Sequence, residues 1–197
     1  MKAVLISIQP KWCELIASGK KTVEVRRTKP KIDVPFKCYI YETKDKHFEN
    51  IGVHYADERK DFIHHIGKVI GEFVCDKIYN ITPHFDKPDF CNQYVCDWKW
   101  GEGTAYLSFT EMNDYLKGKQ GYAWHVTDLV IYDKPKGLIE FCVWKKCNSC
   151  RDTGYESTAC RYDEDCKVPA VPNPPQSWCY VEERSADNEQ REAEYTN

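Results

Sequence analysis

The stretch GKKTVEVRR, residues 19–27, joins a predicted helix to a predicted strand. Pro10 suits the first turn of that helix, and apolar residues follow it at helical spacing. Gly19 is a natural helix stop. From Thr22 onward, valines alternate with polar and charged residues, which is typical of a strand with two different faces. Because the branched apolar run AVLISI (Ala3–Ile8) precedes the helix, the chain is predicted to open as strand–helix–strand.

The rest of the chain predicts short strands separated by long loops. Strands are expected at Phe36–Thr43, Gly67–Ile78, Ala123–Tyr132, Leu138–Trp144 and Ser177–Glu182, with a loop over Tyr79–Gly103. Short helices are expected near Asp57–His65 and over Ser108–Leu116, where Ser108 and Glu111 have capping-box spacing. Six or seven strands with two or three short helices predict a mixed α+β fold that is mainly β, a small β-barrel.

Composition limits the class of protein. The 197 residues are enough for one domain with a core, and a hydrophobic content of 42% argues against global disorder. The net charge is −3, so nucleic-acid binding requires a local basic patch. Residues 1–31 supply one, with eight Lys or Arg against two Glu. Residues 183–197 are polar and acidic and are expected to form a disordered tail.

The amino-terminal sequence resembles no signal peptide, and no apolar run approaches the ~20 residues of a membrane helix. We therefore expect a cytoplasmic protein with no membrane contact. The eleven cysteines would then be mostly reduced, so a cluster of them indicates metal before disulfides.

Four of these cysteines form the pattern C-x2-C-x9-C-x5-C within a segment, 145–174, that has few apolar residues: Cys147, Cys150, Cys160 and Cys166. The first pair has the spacing of a zinc knuckle, and the second pair is looser. A bound Zn²⁺ would supply the ordering energy that burial cannot, and four thiolates would leave no open position, so the predicted site is structural. The alternatives are free thiols in a flexible insertion or a redox-sensitive disulfide.

The segment GKKTVEVRR resembles the G-x-K-x-x-E-x-R signature of the ASCH domain, a PUA-like β-barrel family, through Gly19, Lys21, Glu24 and Arg26. Three further blocks are similar to ASCH proteins of bacteriophages and Gram-positive bacteria: residues 5–10 (LISIQP), residues 121–135 and residues 174–181 (PPQSWCYV). The resemblance covers about residues 2–182. Residues 44–60 and 145–174 look like insertions in a single domain over residues 1–182.

This resemblance implies a cleft beside the first helix and a role with RNA or modified nucleotides. One branch of the family hydrolyses N4-acetylcytidine with a Lys, a Thr and a Glu. The Lys matches Lys21, but Glu24 stands at the Thr position. Glu102 and Glu111 are the nearest candidates for the third residue. Binding of RNA or a nucleotide-like ligand is therefore the leading expectation. The alternatives are an amidohydrolase with Lys21 and Glu24 in catalysis, and a protein-interaction adaptor that uses the acidic tail.

The residue types fit an anion or a base. Lys20, Lys21 and Arg26 can neutralise phosphate, and Glu24 can accept from a base amino group. A solvated strand whose charges form surface ion pairs would have the same sequence pattern. Among the tryptophans, Trp98 and Trp100 lie in a predicted loop and are the expected stacking residues, whereas Trp124 and Trp178 are expected in the core.

No catalytic role is predicted for the histidines. His125 precedes an apolar strand and is expected to be structural. His64 and His65 have no cysteine or carboxylate at ligand spacing in the sequence and receive no role.

The cysteine pattern predicts about one equivalent of zinc in the purified protein. Metal analysis should show that Cys147→Ser loses it, because one thiolate of four is removed. Less than about half an equivalent in the wild type, with no change in the variant, would contradict the site.

Overall fold

The structure, a computed structural model, describes residues 3–44, 62–84, 93–96, 104–143 and 171–183. Ten strands and two α-helices lie within these ranges: β1 (Ala3–Ile8), α1 (Pro10–Ala17), β2 (Val23–Arg26), β3 (Phe36–Glu42), β4 (Val69–Cys75), β5 (Ile78–His84), β6 (Gln93–Cys96), α2 (Phe109–Leu116), β7 (Gly121–His125), β8 (Thr127–Lys136), β9 (Phe141–Val143) and β10 (Trp178–Glu183). A short 3-10 turn, Leu138–Glu140, precedes β9.

The strands form two sheets. The larger has the order β8-β4-β3-β1-β10-β9, and the smaller has the order β2-β7-β5-β6. Every pairing is antiparallel except that of β1 with β3. The larger sheet is strongly curled, and the predicted mainly β, PUA-like barrel is confirmed.

Strand β1 lies in the middle of the larger sheet, which explains its unbroken apolar sequence. All six residues are buried, and the two faces contact different clusters. Val4, Ile6 and Ile8 belong to the cluster that includes Trp124, while Ala3 and Leu5 belong to a second cluster around Phe141. The alternation of side chains along a strand produces this division.

Strand β2 is covered on both sides. Val23 and Val25 pack with Met112 and Leu116 of α2, and the opposite face of β2 carries Glu24 and Arg26. All four β2 residues are buried, so the interpretation of this segment as a solvated strand is wrong. Its valine alternation correctly predicts the two faces, but the charged face lies inside the protein.

Two predicted strands are each divided between the two sheets. Gly67–Ile78 contains β4 and the first residue of β5, and Ala123–Tyr132 contains parts of β7 and β8. The predicted loop Tyr79–Gly103 contains most of β5 and all of β6, which pair as a hairpin. Hydrophobic periodicity continues where a chain passes from one sheet into another, so the sequence does not mark the crossing.

The two crossings are tied to each other. His125 Nδ1 lies 2.7 Å from Asp76 Oδ1, and the His125 amide donates to Lys77 O over 3.0 Å. Thr127 Oγ1 donates to Val74 O over 2.9 Å. His125 therefore joins the β4–β5 and β7–β8 connections.

The helix predictions have mixed outcomes. Helix α2 is confirmed, with Ser108 as N-cap and Glu111 completing the capping box. Residues 62–65 of the helix predicted near Asp57–His65 are not helical, and residues 57–61 lie outside the described residues. So do residues 45–60 of the first predicted insertion, residues 145–170 of the Cys-rich segment and residues 184–197 of the tail. Among the described helices, none has the length and apolar character required to span a membrane.

Gly71 marks the predicted irregularity in β4, since the register with β8 shifts between Val69 and Gly71. A Cβ at Gly71 would lie 2.3 Å from Val130 O. We expect Gly71→Ala to lower the free energy of unfolding by about 1–3 kcal/mol, because backbone must move. Urea denaturation measures it. Gly137→Ala is the matched control, since its Cβ would meet nothing closer than 3.6 Å. Equal stability of the two variants would refute the steric explanation.

Candidate functional site

The turn after α1 places Lys21 beneath the helix. Gly19 has φ of +70°, a left-handed conformation that glycine adopts without a steric penalty, and its amide donates to Ile16 O over 2.9 Å. The Lys21 amide then donates to Leu15 O, also over 2.9 Å. The chain therefore reverses tightly, and the Lys21 side chain enters the protein rather than solvent.

The Lys21 ammonium is fully buried and surrounded by acceptors. Its Nζ donates to Val23 O over 2.9 Å and to Ala105 O over 2.6 Å, and it lies 3.3 Å from Glu24 Oε2. Only 2% of the residue is exposed. Burial lowers the pKa of Lys21 below its ordinary value, and the Glu24 carboxylate opposes that shift.

Glu24 and Arg26 continue the row of buried charges. Glu24 Oε1 lies 3.0 Å from Arg26 NH2, and the same nitrogen donates to Ser7 O over 2.7 Å. The carboxylate therefore lies between two cations, one anchored to the loop before α2 and the other to β1. We call Lys21, Glu24 and Arg26 the buried charge row.

Two buried donors at this row have no partner among the described residues: Arg26 Nε and Trp124 Nε1. Glu24 Oε2 accepts no hydrogen bond there, but it is ion-paired with the Lys21 ammonium at 3.3 Å. Glu24 and Trp124 are direct partners across β2 and β7. All three atoms are closed to solvent, and unpaired buried polar groups cost about 1–3 kcal/mol each. The row therefore offers one acceptor and two donors to a polar group that can reach it.

Trp12 is the aromatic residue that the structure brings to the row. Its ring centroid lies 5.3 Å from Lys21 Nζ and 4.3 Å from Lys11 Nζ. It is half-buried, so part of the indole remains accessible. Sequence reasoning favoured Trp98 and Trp100 instead, and both lie outside the described residues. The sequence could have indicated Trp12 by its position, because Trp12 lies in the predicted helix that directly precedes Lys21.

A second buried carboxylate, Glu42, lies at the end of β3. It is 0% exposed, its Oε1 lies 2.5 Å from His64 Nδ1, and its Oε2 accepts from the His65 amide over 2.6 Å. Spacing along the chain indicates no partner for His64, because the carboxylate belongs to β3, 22 residues earlier. Burial raises the pKa of the Cys13 thiol, and Glu42 and Glu24 add to the rise, so this cysteine is not an activated nucleophile.

The other predicted site residues are placed as follows. Lys20 is exposed and is not part of the buried charge row. Glu111 caps α2, and hydrogen bonds from Lys11 and then Ser108 lower the pKa of its carboxyl to about 2. Glu102 lies outside the described residues, as do Cys147, Cys150, Cys160 and Cys166. Within the part of the chain that is described, no group of three or more metal-ligating side chains occurs.

The two-sheet barrel, with a charge row under its first helix, defines a PUA-like β-barrel protein. The model of the ASCH domain matches residues 6–157, and the chain belongs to this family. ASCH from Zymomonas mobilis is a solved structure that is 19% identical, covering 98% of this chain and 94% of its own, with a TM-score of 0.51. Two mutant structures of that protein, 18% and 20% identical, have TM-scores of 0.47 and 0.49 and similar coverage. No curated protein matches the chain significantly.

The buried ion pair predicts a large stability difference between neighbouring lysines. Lys21→Met should lower the free energy of unfolding by about 3–5 kcal/mol, because Glu24 loses one of its two cationic partners and the carbonyls of Val23 and Ala105 lose a charged donor. Lys20→Met removes an exposed charge and should change it by less than about 0.5 kcal/mol. Chemical denaturation of both variants measures the contrast. A loss below about 1 kcal/mol for Lys21→Met would mean that the pair contributes no more than a surface ion pair.

Proposed function

We propose that this protein binds RNA or a nucleotide-like ligand in a cleft beside residues 19–27. The observation that carries the proposal is the pair of unused donors on Arg26 and Trp124 beside the Glu24 carboxylate, an acceptor whose Oε2 is ion-paired with Lys21 at 3.3 Å. A heterocycle with one amino donor and two acceptors complements such a set, and cytosine has that pattern. Carboxylates commonly accept from the cytosine amino group.

Trp12 supports the same proposal. The indole is half-buried beside the charge row, and a base can stack on it once the Lys11 ammonium, which lies over the ring at 4.3 Å, is displaced. Stacking on an aromatic side chain contributes about 1–3 kcal/mol per base. Because the two unused donors and Glu24 Oε2 are closed to solvent, a ligand enters only if covering groups move.

Hydrolysis is the second candidate, and the lowered pKa of Lys21 favours it. A neutral amine can act as a base or nucleophile. Burial lowers the pKa of Lys21, so a larger fraction of the amine is neutral at a given pH. Against this, Val23 O, Ala105 O and the Glu24 carboxylate all stabilise the charged ammonium. The surroundings of Lys21 therefore favour a cation that positions the ligand, and ligand binding is the preferred function over hydrolysis.

From the sequence we also propose a structural zinc at Cys147, Cys150, Cys160 and Cys166, a cytoplasmic location, and relationship to the ASCH proteins of bacteriophages and Gram-positive bacteria. Lys20, Trp98 and Trp100 remain proposed ligand contacts, and the adaptor role of residues 183–197 remains the third alternative.

The test is a titration with cytidine monophosphate, uridine monophosphate and single-stranded RNA. Glu24→Gln keeps the size of the side chain but replaces an acceptor oxygen with a donor, so cytidine binding should weaken about 10- to 100-fold. Calorimetry or fluorescence measures it. Glu72→Gln is the control, since Glu72 is also ion-paired, to Lys37 at 2.7 Å, but lies on the larger sheet.

Failure of the wild type to bind any of these ligands would overturn the binding proposal, as would equal affinities for the two glutamine variants. The same samples are incubated with N4-acetylcytidine to follow deacetylation. Turnover that rises with pH and disappears in Lys21→Met would establish the hydrolase instead, because only the neutral amine reacts.

A further inference from the structure

Four exposed cations surround the end of β2 and the end of α2: Arg27, Lys29, Lys117 and Lys119. Arg27 follows β2 directly, and its Nε donates to Tyr115 O over 2.8 Å in the last turn of α2. Lys117 and Lys119 come immediately after that helix. Arg27 NH2 donates to the same carbonyl over 2.5 Å, and the two hydrogen bonds place the segments after β2 and α2 side by side.

Two tyrosines lie among these cations. The Arg27 guanidinium carbon is 4.8 Å from the Tyr115 ring centroid, and Lys29 Nζ is 5.3 Å from that of Tyr122. Cation–π contacts of this kind hold flexible side chains in place. Both rings are half-buried, so each supports a cation at the surface. We call the four cations and two tyrosines the basic ridge.

The charge of the ridge is local. One exposed carboxylate, Asp114, lies on the same helix, so the cations outnumber it, although the chain as a whole carries −3. Lys117 is also left-handed, with φ of 55°, at a position where Gly or Asn is the usual residue. A lysine at that position adds a cation although its backbone conformation is less favourable.

We propose that the basic ridge binds the phosphodiester backbone of a single-stranded RNA whose target nucleotide occupies the buried charge row. This rests on the proposed function and extends it to the ligand class. Arg26 of the row directly precedes Arg27 of the ridge, so the two surfaces are adjacent along β2. A nucleoside monophosphate carries one phosphate and cannot contact several ridge cations, whereas an oligonucleotide presents a series of phosphates to them. The ridge therefore selects a polynucleotide over a free nucleotide.

The variant that tests the ridge combines Lys29→Gln, Lys117→Asn and Lys119→Gln. Asn at 117 tolerates the left-handed backbone, so the fold should be retained. An oligoribonucleotide of about 12 nucleotides should bind at least 10-fold more weakly at about 50 mM salt. The slope of log affinity against log salt should shrink by about 2, since three phosphate contacts are lost. Cytidine monophosphate should bind as in the wild type.

The matched control removes three exposed lysines elsewhere, by Lys44→Gln, Lys68→Gln and Lys134→Gln. It changes the net charge equally and should keep the wild-type salt slope. Any of three results would overturn the ridge proposal. They are an equal loss of RNA affinity in both triple variants, an unchanged salt slope in the ridge variant, and no oligonucleotide binding by the wild type.

The two proposals fail separately. If cytidine monophosphate binds and Glu24→Gln weakens it, but the ridge variant binds RNA normally, only the ridge is wrong. If no mononucleotide binds while the ridge variant alone loses RNA affinity and salt slope, the ridge is supported and the nucleotide cleft is wrong.

Discussion

The Glu24 carboxylate, held between Lys21 and Arg26 inside the protein, is the interaction on which the site depends. Each cation is anchored to a different part of the chain, Lys21 to Ala105 O and Arg26 to Ser7 O. The row thereby connects the α1–β2 turn with β1 and with the loop before α2. Well-packed apolar residues often replace a buried ion pair at little cost, so stability alone does not account for three charges here, and their burial agrees with the proposed ligand contact.

The same burial sets the chemistry of the row. Removal from water lowers the pKa of Lys21, yet its neighbours are acceptors that stabilise the ammonium. The two unused donors, on Arg26 and Trp124, lie with the Glu24 carboxylate on one face of two paired strands. This arrangement supports the proposed recognition of a polar heterocycle over proton transfer.

The outer end of β2 complements its buried face. Arg27 follows Arg26 directly, but the first is exposed on the ridge and the second is buried in the row. Successive residues of one strand thus face the interior and the surface, because side chains alternate along a strand. Recognition of a base and attraction of a phosphate chain are separate tasks, and β2 connects the residues proposed for both.

Local rules were sufficient where each structural feature depends on neighbours in sequence. Pro10 begins α1 and Gly19 follows its end, and Ser108 with Glu111 caps α2. Each of these features depends on residues within a few positions of one another. The alternation in residues 22–27 likewise gave the two faces of β2. Only the tertiary structure decided that the charged face is buried and that predicted long strands cross between sheets. Each of these depends on residues distant in sequence, which periodicity and spacing do not record.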